Sequence, residues 1–350
     1  MNPSPCPSRA LVVANPAAGG YSAELAGRVA ARCRERLGSV TVHRTTGRGD
    51  ATAAVRRELG DGPAAGSPYL VVAVGGDGTV HETAEGLRGL GDGTEAALLM
   101  IPGGSANSGY RMFWDDRPWE DALSMVLGGR ATVRRVDLAR LAEAAAHVLL
   151  GSCTGLGAQI LAALRTARHD GTASDTTAGG AAAGTTGTAT GTAPDAGRAR
   201  YARLLTEAAA GYRPYPGRVT VDGTVLAEGP TVLAAVGGGR YRAGQYLLLP
   251  RSEVDDGLLD VCVVGGRTDP AQLPVLARDA RHLDLPDTAY GRGRRIVLER
   301  LDGEDLVLEH DGELLDGTGT TATFDVLPGA LPVWAAPHGQ RGTGEPGNGR

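Results

Sequence analysis

Apolar residues in the first third of the chain come in short unbroken runs, each closed by a small or polar turn. Residues 9–14 (Arg-Ala-Leu-Val-Val-Ala), 69–74 and 97–101 have the length and composition of buried strands, and Val40–His43 reads as a further strand. Between them Leu25, Val29, Cys33 and Leu37 recur at helical spacing, predicting a helix over 22–37, with further helices over 49–59 and 80–90. Strand, glycine-rich turn and helix thus alternate over 9–130. That alternation predicts a doubly wound α/β domain, whose loops gather at the carboxyl ends of the parallel strands, where such sheets bind ligands.

The pattern changes after Arg130. Runs at 133–141, 147–153, 218–225, 231–236, 258–264, 295–300 and 306–310 are rich in strand formers, with turns such as Asp222-Gly223 between them. They predict a β-rich, sandwich-like second domain over 131–330. Residues 171–197 are dominated by Gly, Thr, Ala and Ser. Such a segment cannot bury enough surface to offset its ordering entropy, and it is read as a disordered insertion. Residues 1–8 and 337–350 are read as tails.

Composition narrows the chemistry. Hydrophobic residues are 42% and charged residues 21% of the 350, which fits a globular protein. A net charge of −5 gives no reason to expect nucleic-acid binding. All 35 basic residues are arginines. A chain without lysine cannot contain a P-loop, a protein-kinase strand lysine or a Schiff-base lysine. The four cysteines are far apart, with no CxxC pair, which argues against a zinc ribbon or a disulfide scaffold. The opening residues carry no charged-then-apolar leader, and no apolar run approaches the ~20 residues of a membrane span, so a cytoplasmic location is expected.

The strongest chemical signal is the run 69–74 entering Gly75-Gly76-Asp77-Gly78-Thr79. Glycines let backbone N–H groups approach phosphate oxygens, and the following helix offers its positive end to the same anion. Thr79 adds a hydroxyl, and Asp77 can hold Mg²⁺ directly or through water. The loops Asn15-Pro16-Ala17-Ala18-Gly19, Thr45-Thr46 and Gly103-Gly104-Ser105-Ala106-Asn107 should open at the same sheet edge. Each alone reads as a turn; their convergence points to a nucleotide. Asp137 is open between a core hydrogen-bond acceptor and a site acid, and His81 and His310 read as packing or solvent-facing residues. Arg278–Arg281 and Arg292–Arg295 read as solvated surface, with contact to anionic headgroups as the alternative.

The series Asn15-Pro16-x-Ala-Gly19, Gly75-Gly-Asp-Gly-Thr-Val-His-Glu82 and Pro102-Gly-Gly-Ser-Ala-Asn107 resembles the diacylglycerol kinase catalytic-domain family, which includes bacterial soluble lipid kinases and the sphingosine and ceramide kinases. Arg135-Val-Asp137-Leu, Pro250-x-x-Glu253-Val-Asp255-Asp256-Gly257-Leu258-Leu-Asp260 and Asp311-Gly312-Glu313 continue it. The resemblance implies ATP- and Mg²⁺-dependent phosphorylation of a lipid hydroxyl. It places Asn15–Gly19, Thr45 or Thr46, Gly76–Glu82 and Ser105 around ATP, with Gly75 and Asn107 in the same loops. It gives a structural Mg²⁺ to the carbonyls of Glu253 and Leu258 and the Asp256 carboxylate, and makes Glu313 the general base.

The sequence departs from the family at Ser105, usually Thr, at His81, commonly Asn, and after Asn107. The segment 110–119 is strongly aromatic in a chain with only 4% aromatics, and suggests an altered acceptor. A sphingoid-like base or another amphipathic alcohol is the alternative to diacylglycerol. A nucleotide-binding regulator without turnover is the alternative to an enzyme. Peripheral membrane contact and a homodimer complete the expected partnerships.

Overall fold

The computed structural model describes residues 6–60, 69–88, 90, 95–169, 203, 206–315, 317 and 319–337. The expected insertion at 171–197 and most of the two expected tails lie outside the described residues.

The first half runs β1 (Arg9–Ala14), α1 (Ala23–Arg34), β2 (Ser39–Arg44), α2 (Asp50–Leu59), β3 (Tyr69–Gly75), α3 (Asp77–Arg88) and β4 (Ala96–Pro102). Two helices follow, α4 (Ser108–Trp114) and α5 (Trp119–Leu127). β1 pairs in parallel with both β2 and β3, and β3 in parallel with β4. Every residue of β3 is buried, as a strand covered on both faces requires, whereas β2 at the sheet edge is only half-buried. Because β1 lies between β2 and β3, chain direction across the sheet reverses beside it. The loops leaving β1 and β3 therefore diverge around a crevice at their carboxyl ends.

The second half contains β5 (Thr132–Leu141), β6 (Ala146–Val148), β7 (Ser152–Gly155), α6 (Leu156–His169), β8 (Tyr215–Val221), β9 (Thr224–Gly237), β10 (Tyr241–Arg242) and β11 (Tyr246–Leu247). It closes with β12 (Leu259–Gly265), β13 (Thr288–Gly293), β14 (Arg295–Arg300), β15 (Leu308–His310), β16 (Glu313–Leu315) and β17 (Thr321–Ala335). The pairings here are antiparallel, and their inner faces enclose a core that includes Val219, Val236, Val261, Ile296 and Phe324. β17 belongs to both halves. It lies antiparallel to β14 and β5, then meets β4 in parallel at Val333 and Leu98. Among the described residues, fifteen strands thereby join into one sheet. No described helix is long and apolar enough to cross a membrane.

Three readings of the sequence need correction. The run 147–153 is two strands, β6 and β7, because the amides of Leu149, Leu150 and Gly151 between them turn to the Asp311 carboxylate at 2.8, 2.8 and 3.0 Å. The aromatic segment 110–119 forms α4 and the start of α5, and Tyr110, Phe113 and Trp114 pack into the core of the first half. Its aromatics therefore carry no argument about the acceptor. Residues 253–258, which the family resemblance implies to be a hairpin, form an irregular turn instead, with Gly257 at φ +76°.

Asp137 resolves as a core acceptor. Its two oxygens take the amides of Gly257 and Gly329, both at 2.7 Å, and its own amide donates to Val254 O at 2.7 Å. Beside it, buried Arg134 grips Asp255 with two bonds of 2.8 and 2.5 Å. Hydrogen bonds to a charged group contribute about 1.5–3 kcal/mol each. Asp137→Ala is expected to destabilise the protein by at least ~2 kcal/mol, read as a lower urea midpoint, with Asp137→Asn losing less. An unchanged midpoint for the alanine variant would remove the clamp.

Candidate active site

Glycine creates the crevice by letting two loops touch. A Cβ on Gly104 would stand 2.3 Å from Gly76 Cα, so the loops after β3 and β4 lie backbone against backbone. Asn107, held at φ +54°, locks the second loop by accepting from Gly104 N at 2.8 Å and donating to Gly104 O at 2.7 Å. The β1 loop joins through Asn15, whose Nδ2 donates to Thr79 Oγ1 at 2.9 Å.

Two cavities meet at these loops. The first, about 920 Å³, is lined by the whole Asn15–Gly19 loop, Thr45, Thr46, Gly76, Gly78, Thr79, Glu82, Ser105 and Glu313. Apart from Glu313, expected as the base, these are residues expected around a nucleotide. Asp77, also expected there, does not line this cavity, and Gly47, Arg48, Ala51 and Gly104 line it in addition. Gly75 and Asn107 stand behind them as supports rather than lining. Glu82 lines the cavity, yet its carboxylate accepts from Gly49 N at 2.9 Å and Ala51 N at 3.3 Å, capping α2. Thr46 is tied to Asp50 Oδ2 through its amide and hydroxyl, at 2.8 and 3.0 Å. Glu313 reaches the cavity from β16, where Arg48 Nη2 meets its Oε2 at 2.5 Å.

The second cavity, about 420 Å³, opens on the other side of Gly78 and Ser105, which line both. Its wall is apolar, with Leu156, Leu233, Leu248 and Leu273, and its polar end holds Asp77, Asp311, Glu309 and Arg242. Sequence reading did not find this cavity, because its leucines are indistinguishable from core residues. Burial raises Asp77 above the ordinary carboxylate value, outweighing the amides of Gly109 and Ser108, each 3.1 Å from one of its oxygens. Glu309 is raised by burial as well; it accepts from Cys153 Sγ at 2.9 Å. Arg242 is buried and donates to the carbonyls of Val236, Gly239 and Tyr241.

Asp311 joins the two halves. It and Gly312 form the β15–β16 turn at φ +47° and +87°, the left-handed pair that a two-residue hairpin demands. Its carboxylate takes the three amides at 149–151 and, through Oδ2, His81 Nδ1 of α3 at 2.8 Å. Burial pushes Asp311 up, but the imidazole and the amides outweigh it and leave the carboxyl below its ordinary value. Burial pushes His81 down, and the bond to Asp311 with the charges of Glu85 and Glu313 more than reverses it. The His81 reading as packing or solvent-facing is thereby replaced by an imidazole hydrogen-bonded to a buried carboxylate, which is an ion pair whenever the ring is protonated. His81, His310 and Asp311 bring possible ligand atoms within 4.8 Å of one another, yet each Asp311 oxygen already accepts two bonds, which leaves a metal no lone pair.

The residues expected to hold a structural Mg²⁺ lie apart from both cavities. Asp256 accepts from Leu258 N at 3.1 Å and pairs with Arg292, while Glu253 pairs with Arg240 at 3.3 Å. A cation there would compete with a guanidinium for Asp256. By contrast Asp77, which accepts the amides of Ser108 and Gly109 and the Ser108 hydroxyl, keeps one lone pair beside the shared wall, which fits a nucleotide-bound Mg²⁺ or a proton.

Residues 9–141 match the model of the diacylglycerol kinase catalytic domain, and 176–335 that of the YegS C-terminal NAD kinase beta sandwich-like domain. The second match begins inside the segment read as an insertion. A probable lipid kinase YegS-like protein of Pseudomonas aeruginosa is 32% identical over 283 residues, covering 79% of this chain and 80% of the relative. One from Pseudomonas fluorescens Pf-5 is 31% identical over 312 residues, 87% of this chain and 89% of the relative. The crystal structure of a diacylglycerol kinase from Bacillus anthracis shares the fold, with a TM-score of 0.61 at 21% identity, covering 93% of this chain and 96% of that one.

The His81–Asp311 pair gives stability a pH signature. A histidine raised on folding contributes fully below its unfolded value of about 6.5 and loses that contribution as pH rises through the folded value. Asp311, lowered on folding, contributes above about 3.9 and loses it as pH falls through its folded value. The melting temperature of the wild type should exceed that of His81→Gln most near pH ~5–6 and progressively less toward pH ~9. A difference that does not vary with pH would remove the ion pair.

Proposed function

The chain belongs to the diacylglycerol kinase catalytic-domain and YegS-like lipid kinase family, and we propose that it transfers the terminal phosphoryl group of ATP to a hydroxyl of an amphipathic lipid. The observation that carries this reading is the meeting of a polar cavity and an apolar one across Gly78 and Ser105. Phosphoryl transfer asks a protein mainly to position two reactants and to neutralise charge.

Bound Mg²⁺·ATP supplies the phosphoryl group and offsets the charge on its phosphates. The Asn15–Gly19 loop, Thr45, Thr46 and the glycine loops hold the nucleotide. The amide of Gly78, in the first turn of α3, has no intrahelical acceptor to compete with a phosphate oxygen. The apolar cavity takes the acceptor's hydrocarbon and sets its hydroxyl beside Asp77. Asp77 lies on the acceptor side of the shared wall, and its raised affinity for a proton suits a general base. Glu313, the base implied by family resemblance, lies on the nucleotide side with Arg48 as its partner.

The acceptor's route is read from the short helix Leu273–Leu276. Leu273 and Pro274 line the apolar cavity, while Val275 beside them is 59% exposed, and Arg278 and Arg281 follow. An exposed apolar residue followed by Arg278 suits a lip that rests on an anionic lipid surface, while Arg281 is already paired with Asp279 at 2.9 Å. No step is assigned to a cation at Glu253, Asp256 and Leu258.

The test is incubation of purified protein with Mg²⁺ and γ-labelled ATP over a lipid extract, followed by chromatography of the products. Label in an organic-soluble phosphate is expected. Label only in water-soluble alcohols would sink the lipid reading, and nucleotide binding without any transfer would favour a regulator.

Two variants assign the base. Asp77→Asn should lower kcat by ~10²–10⁴ with the melting temperature and ATP affinity near those of the wild type. Glu313→Gln should cost less than about tenfold in kcat. The reverse pattern would return the proton to Glu313.

A further inference from the structure

The nucleotide cavity poses an electrostatic problem. Its lining carries two carboxylates, Glu82 and Glu313, and among the described residues that line it Arg48 is the only cation. Glu82 is spent on the N-terminal amides of α2, so that helix end is already neutralised and offers no anion site. For a triphosphate entering this space with its Mg²⁺, Arg48 is the one cationic side chain among the described lining residues that can meet the phosphate oxygens.

Arg48 is built to turn. Its side chain is 83% exposed, and its hydrogen-bonded partner is Glu313 across the cavity mouth. An ion pair between exposed groups adds little to stability, so parting it costs little. Arg48 stands between Gly47 and Gly49, the latter at φ +78°. The loop on either side is fixed, by Thr46 on Asp50 and by Gly49 on Glu82, so the tip moves while its base stays in register. A guanidinium matches phosphate oxygens with paired donors, and a polyphosphate presents more negative charge than one carboxylate.

We propose that Arg48 is the residue that reads the nucleotide's outer phosphates, and that it leaves Glu313 to do so. Glu313 is then the parking site for this cation while the cavity holds no nucleotide. Arrival of the triphosphate draws the guanidinium inward and releases the contact between the Thr45–Gly49 loop and β16. This rests on the ATP reading above, and adds the residue by which the site distinguishes a triphosphate from a nucleoside.

The test is equilibrium binding of ATP, AMP and adenosine to the full chain, without acceptor lipid, for wild type, Arg48→Gln and Glu313→Gln. The wild type should prefer ATP to adenosine. Arg48→Gln should weaken ATP by about 10- to 100-fold while adenosine affinity and melting temperature hold, because only the charged hydrogen bonds to phosphate are lost. Glu313→Gln should bind ATP at least as tightly as wild type, since the competing carboxylate has gone. A surface strap without a phosphate role would leave the ATP-to-adenosine ratio unchanged in Arg48→Gln, and that result overturns the proposal. Weaker ATP binding by Glu313→Gln overturns the parking role. A wild type that binds neither ATP nor adenosine would instead defeat the nucleotide reading itself.

Discussion

One buried carboxylate organises the centre of this molecule. Asp311 gathers three consecutive amides from the β6–β7 turn and an imidazole from α3, so a hairpin of the second half is pinned at once to its own sheet and to the first half. Four bonds to a single ionised group make the arrangement costly to break, since each donor would otherwise be left buried and unpaired. The residues two positions to either side inherit their places from it. Glu309 faces the apolar cavity and Glu313 the polar one, because the Asp311-Gly312 turn sends the two strands of the hairpin along different walls.

The same constraint explains what could be read in advance. β1, β3 and β4 were legible because a strand covered on both faces must be apolar throughout, and their glycine-rich exits because backbone approach excludes side chains. The residues of the nucleotide cavity follow from those exits, being local to them in sequence. Asp311 was legible only as part of a turn and a family motif. Its partners are about 160 and 230 residues away in the chain, and no local pattern announces a contact of that range. The split of 147–153 was hidden for the same reason: three residues of strand-forming composition spend their amides on a distant carboxylate rather than on a neighbouring strand.

The apolar cavity was illegible for a different reason. A leucine that lines a pocket and one that fills a core obey the same periodicity, and Leu156, Leu233 and Leu273 do both: they belong to a core cluster, and only the arrangement of β7, α6, β9 and the helix at 273–276 leaves a cavity against them. The aromatic cluster at 110–119 shows the converse. Conspicuous composition drew attention to residues whose task is to fill space behind β4, while Arg48, one arginine among 35, occupies the mouth of the polar cavity.

β17 has a consequence for how the chain reaches its fold. The first half is continuous in sequence through α5, yet Leu331, Val333, Trp334 and Ala335, which complete its core and flank β4, are made about 200 residues later. On the ribosome the nascent first half must therefore wait, with the side of β4 that receives β17 unpaired, while the whole of the second half is synthesised. An unpaired strand edge is the feature of an incomplete fold that is most open to wrong partners. Closure by the last strand makes the two halves a single cooperative commitment, and it leaves that edge open to chaperones for about two-thirds of translation.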